Sequence, residues 1–128
     1  MSLKPDTSNH TARISAAILG ATGVGLGAFG AHALKATLEQ SQRLDTWETA
    51  VSYQMLHALA LLALSVTKPQ PRMALMLWWI GTGIFSGSLY LLCLTGFTWL
   101  GAITPLGGIC LIAGWLSLLT VRPLKSIG

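Results

Sequence analysis

Charge is what this sequence has least of. Only 9% of its 128 residues are Asp, Glu, Lys or Arg, against about 25% in an ordinary soluble domain. A water-soluble globule of this size could not bury a 52% apolar composition behind so few charges. Acidic residues are scarcest, four against eight Lys and Arg, for a net charge of +4. The basic residues never gather into one face, so nucleic acid is not an expected partner. There are two cysteines and no Cys-x-x-Cys, so no zinc set forms. No carboxylate lies in the middle of an apolar run, which removes the usual proton pathway. The glycines between Ile14 and Leu34 sit inside an apolar run rather than in a phosphate-cradling loop. Ser86 and Ser88 lack a base and an orienting acid, so no catalytic residue is assigned and no enzyme is expected. No cofactor and no metal is assigned either.

What the sequence does have is long apolar runs: Ile14–Leu34, Trp47–Val66, Met73–Leu94 and Leu100–Val121. A helix needs about 20 apolar residues to cross a hydrocarbon core about 30 Å thick. Inside lipid each run must satisfy its own backbone, which makes all four helical. The expected fold is therefore all-α, an integral membrane four-helix bundle formed as a single domain over residues 1–128, with the lipid bilayer as its surroundings. The longest connection, Lys35–Thr46, leaves no room for a soluble domain. The polar first twelve residues read as a frayed tail. Arg13, an apolar stretch and Ala31-His32-Ala33 resemble a signal peptide, but the length and glycine content favour a retained helix.

Charge asymmetry sets the orientation. Lys4, Arg13, Lys68, Arg72, Arg122 and Lys125 share one side of a four-span chain, and only Lys35 and Arg43 the other. Both termini are expected in the cytoplasm, and the chain in the plasma membrane, the inner membrane if bacterial. The five tryptophans fall in or near two interfacial belts. Trp47 and Trp99 lie at the outer surface, and Trp78, Trp79 and Trp115 toward the inner one.

The helix faces suggest how the spans meet. Ala16, Gly20, Gly23, Gly27 and Gly30 fall within about 80° of arc on span one. Ala17, Ala21, Gly25, Ala28 and His32 lie roughly opposite. Small residues let helices approach closely in lipid, so two small faces place span one at the centre of the bundle. Its glycines are the expected packing residues, within the chain or at an oligomer seam. Span two carries Tyr53, Gln54 and His57 on one arc, and span three answers with Thr82, Ser86 and Tyr90. Polar groups in hydrocarbon turn inward, so these six form an expected polar seam, either plain interhelical hydrogen bonding or a small pocket. In span four, Thr104-Pro105 either kinks a helix that begins at Leu100 or starts a helix that begins at Pro105.

His32 and His57 are the only weak metal or haem candidates. They differ in expected depth by roughly 12 Å, which separates them as axial ligands. Cys93 and Cys110 are expected to be free. A hairpin about Thr95–Trp99 puts Cys110 level with residue 84, about 13 Å from Cys93 in depth, too far for a disulfide.

Gly27-Ala-Phe-Gly-Ala-His-Ala-Leu34 and Trp47-Glu-Thr-Ala-Val-Ser-Tyr-Gln-Met-Leu-His-Ala-Leu59 resemble the small membrane family called domain of unknown function 423. So do Phe85-Ser-Gly-Ser-Leu-Tyr90 and Leu100-Gly-Ala-Ile-Thr-Pro-Leu-Gly-Gly108. That family includes the transmembrane protein 256-like proteins, and the resemblance runs from about Ala12 to Thr120. It implies the membrane location and fold and no reaction, substrate or cofactor. The expected role is a non-catalytic membrane component packing with itself, as a homo-oligomer, or within a larger membrane complex. Two alternatives stay open: a channel or carrier for a small neutral solute along the seam, and a haem or quinone binder.

Overall fold

A computed structural model describes residues 7–123 and 125. The described residues are all-helical, in the order α1 (Thr7–Ala31), α2 (Lys35–Gln40), α3 (Leu44–Leu64), α4 (Arg72–Thr95) and α5 (Thr104–Ser117). Two 3-10 turns, Thr98–Ala102 and Leu118–Thr120, flank α5. Three helical stretches are long and apolar enough to cross a membrane: Thr7–Ala31, Arg72–Thr95 and Thr98–Thr120. At 21 residues α3 is slightly shorter than these, and it carries Asp45, Glu48, Gln54 and His57.

The helices pack antiparallel in chain order, α1 on α3, α3 on α4 and α4 on α5. One end of the described part therefore carries the first turn of α1, the 3-10 turn Leu118–Thr120 and the α3–α4 connection (the terminal end), and the other carries α2 and the 3-10 turn before α5 (the loop end). An apolar core at the terminal end joins Ala12 and Ala16 to Leu61, Leu64, Ala74, Trp78 and Leu111.

Four expectations need correction. The helix begins at Thr7, and Ala12 is fully buried, so residues 7–12 are no frayed tail; residues 1–6 lie outside the described part. The reason is the core beneath: small Ala12 and Ala16 let the first turns of α1 lie against α3. Second, α1 is peripheral. It packs on α3 and barely touches α4, and its second small face, Ala17, Ala21, Gly25, Ala28 and His32, is exposed. Third, two of the five tryptophans are core residues. Trp47 and Trp78 are 2% and 1% exposed, so depth along the axis placed them near the belts while their rotational position turned them inward. Fourth, Gly20 makes no close contact inside the chain, since a Cβ there would meet nothing within 4 Å.

The stretch after Thr95 combines features of both readings of span four. Gly96 stops α4 in a left-handed conformation (φ 74°), as a helix C-terminus favours. A 3-10 turn follows, and the α-helix proper starts at Thr104 with Pro105 in its first turn, where a missing N–H costs nothing. The register shifts accordingly. Cys110 lies against Gly81 rather than level with residue 84, and Gly107 lies against Phe85. Cys93 and Cys110 are free and half-buried.

Candidate functional site

The polar residues of α3 and α4 reach across helices because the sequence places them one or two turns apart on facing arcs. Gln54, 4% exposed, is the hub. Its amide donates to the Leu19 carbonyl at 2.9 Å and to the Thr22 hydroxyl at 2.8 Å. Its carbonyl accepts the Tyr90 hydroxyl at 2.8 Å. One side chain thus ties α3 to both α1 and α4. Ser86 donates to the Ala50 carbonyl at 2.7 Å. Toward the loop end, the Trp47 indole donates to the Leu26 carbonyl at 2.9 Å and packs on Tyr90, ring centroids 4.8 Å apart. Ser88 and Thr104 share a hydroxyl contact of 2.6 Å that joins α4 to α5.

His57 is 2% exposed. Its Nδ1 lies 2.8 Å from the Tyr53 carbonyl, and its Nε2 is 3.1 Å from the Trp115 indole nitrogen. An indole N–H only donates, and a carbonyl only accepts. The ring therefore carries its proton on Nδ1 and its lone pair on Nε2, a neutral tautomer with both nitrogens engaged. No lone pair remains for a metal or haem iron unless the Trp115 bond breaks. Around it, Trp78 and Trp115 lie 4.5 Å apart between ring centroids, each 6.0 Å from the imidazole.

Of the six seam candidates, Gln54, Ser86 and Tyr90 are joined to neighbouring helices by hydrogen bonds, and His57 by the Trp115 indole. Tyr53 stands apart: it is 43% exposed and stacks on Phe85 at 4.4 Å. Thr82 is 2% exposed, yet its hydroxyl has no hydrogen-bond partner, and neither does the indole N–H of Trp78 one turn away. His32 lies exposed in the turn after α1. Among the described residues no three His, Cys, Asp or Glu side chains gather as a metal site. Among the packing glycines, a Cβ at Gly23, Gly27 or Gly30 would press on Met55, Val51 or Trp47 of α3.

Sequence reasoning missed Thr22, Trp47 and Trp115 as partners in this network. Thr22 borders the arc of Gly23 and Gly27, a usable signal. Trp115 gave none, because an interfacial tryptophan and one reaching back to a histidine have the same spacing.

Residues 26–108 match the family described as "Protein of unknown function (DUF423)". A UPF0382 membrane protein of Staphylococcus haemolyticus is 46% identical over 109 residues, covering 82% of this chain and 88% of its own. The UPF0382 membrane protein YwdK of Bacillus subtilis is 42% identical over 99 residues, covering 73% of this chain and 80% of its own. The UPF0382 inner membrane protein YgdD of Escherichia coli is 40% identical over 112 residues, covering 83% and 84%. No solved structure matches the chain at a significant level. The matched stretch opens at Leu26, whose carbonyl receives the Trp47 indole, and runs through the whole seam to Gly108, and on these grounds the chain belongs to the DUF423 family of membrane proteins.

Proposed function

We propose that this protein is a non-catalytic component of the plasma membrane, spanning it four times, which packs with a second copy of itself or with a larger membrane protein. The observation that carries the reading is the exposed face of α1, Ala17, Ala21, Gly25 and Ala28. Close helix approach in lipid depends on such residues, and the chain spends its other small face, at Gly23, Gly27 and Gly30, on α3. The seam supports packing over transport, since Gln54, Ser86 and Tyr90 are bonded to their neighbours rather than lining an open path.

The fourth crossing is α3. It lies antiparallel between α1 and α4 and, at 21 residues, is long enough to cross, and its buried polar groups face its neighbours, which lets a helix that carries them sit in hydrocarbon. The basic residues at the terminal end orient both termini to the cytoplasm. A reporter active only in the periplasm, fused after Gly128, is expected to stay silent there; activity overturns the topology.

Cross-linking in native membranes tests the packing. With Cys93 and Cys110 replaced by alanine, Ala21→Cys is expected to cross-link to a second copy or a larger protein, whereas Ala16→Cys, buried against the core, is not. Failure of Ala21→Cys to cross-link to anything overturns the reading.

A further inference from the structure

At the terminal end a cavity of about 500 Å³ opens between α3, α4 and α5, within the range of roughly 300–1,000 Å³ that holds small ligands. Its wall is almost wholly carbon: Ala60 and Ala63 of α3, Leu118 and Val121 after α5, and the rings of Trp78 and Trp115. The polar groups in that wall are already spent or covered. The Trp115 indole donates to His57, and the Thr67 hydroxyl donates to the Ala63 carbonyl. The Trp78 N–H is buried beneath Gly114. An occupant must therefore be apolar where it meets the wall.

The rim is different. Pro69, Pro71 and Pro123 have no backbone N–H to offer an anion. The remaining rim groups are Lys68 and Arg122, both exposed cations. The acidic side chains among the described residues, Glu39, Asp45 and Glu48, all lie at the opposite end of the molecule. An apolar cavity in the membrane, with two cations and no described acid at its mouth, complements a molecule with a hydrocarbon body and an anionic head. Basic pockets between membrane helices bind anionic lipid headgroups on this principle.

We propose that this cavity takes one acyl chain of an anionic phospholipid, whose phosphate sits between Lys68 and Arg122.

The test is native mass spectrometry of the full chain from mixed micelles containing either phosphatidylglycerol or phosphatidylcholine. One retained phosphatidylglycerol per chain is expected, well above phosphatidylcholine. The Lys68→Gln/Arg122→Gln pair should lower that retention roughly tenfold or more. Arg13→Gln/Arg72→Gln removes the same charge from the same end outside this cavity, and should leave retention unchanged. Ala63→Phe, which fills the cavity from a lipid-exposed position, should lower retention of the acyl chain with the rim intact. Equal retention of the two lipids, equal loss in the two charge variants, or displacement of the lipid by inorganic phosphate would overturn the proposal. So would a lipid-free dimer, which would mean a second copy fills the cavity. If Ala63→Phe fails to fold, judged by circular dichroism, the two charge variants decide alone.

Discussion

The two halves of the helix packing are built on different principles. Toward the loop end, side chains cross between helices as hydrogen bonds: Trp47 to Leu26, Gln54 to Leu19, Thr22 and Tyr90, Ser86 to Ala50, Ser88 to Thr104. Toward the terminal end the contact is mainly aromatic, Trp78 and Trp115 around His57, with one hydrogen bond, from the Trp115 indole to His57. That half leaves a cavity, and buried polar atoms go without hydrogen-bond partners there, the Trp78 N–H and the Thr82 hydroxyl among them. Directional bonds close an interface to a single spacing. Large flat rings cover area without matching every donor, and their shape leaves space beside them.

The largest expected effect breaks the close contact that both halves depend on. A Cβ at Gly107 would strike the backbone nitrogen of Phe85 and lie 2.9 Å from the Gly81 carbonyl oxygen, atoms that cannot rotate away. Gly107→Ala is expected to cost about 1–3 kcal/mol in thermal unfolding in detergent. Gly83→Ala, with nothing within 4 Å, should stay within about 0.5 kcal/mol. Equal melting temperatures for the two would refute the packing of α5 on α4.

Next in size is Gln54→Leu, which removes three bonds between helices. At about 0.6 kcal/mol for each such bond in a membrane, the expected loss is roughly 2 kcal/mol. A variant as stable as wild type would show that the loop-end half is held by packing, as the other half is.

The smallest effects sharpen the contrast by using the same change in both halves. Trp47→Phe deletes a bonded N–H and is expected to destabilise by about 1 kcal/mol. Trp78→Phe vacates a similar buried ring volume but deletes an unbonded N–H, so it should cost less than Trp47→Phe, and Thr82→Val, which keeps its volume, should be nearly neutral, since removing an unsatisfied buried polar group relieves its desolvation. Unfolding by denaturant in mixed micelles measures all three. A larger loss for Trp78→Phe than for Trp47→Phe would erase the distinction.

Much of this arrangement was legible in composition and periodicity. The apolar runs located α1, α4 and α5; of the three residues expected on one arc of α3, Gln54 and His57 are buried while Tyr53 is exposed. The central position expected for α1 was not legible correctly. A helix with two small faces reads the same whether its second neighbour comes from its own chain or from elsewhere. Trp47 and Trp78 are buried rather than on the lipid-facing surface, because a tryptophan near a helix end satisfies both a belt and a core. Helix α2 carried little signal in a stretch of six residues. The 3-10 turn before Thr104 lay beyond periodicity, since Leu100 to Ile103 are as apolar as the helix that follows.

Gly23, Gly27 and Gly30 give α1 a smooth surface against α3, along which one helix could slide past the other. The two bonds from α3 prevent this, acting together as an index. The donors Trp47 and Gln54 are seven residues apart, and so are their acceptors Leu26 and Leu19. Two helical turns on one helix are thus measured against two turns on the other, about 10.5 Å at 1.5 Å per residue. Because the spacings match in opposite chain directions, both bonds form in the same alignment. A slip of one turn breaks both at once and strands two donors in a dry contact, so α1 and α3 have one stable translation relative to each other even where their glycines would permit several.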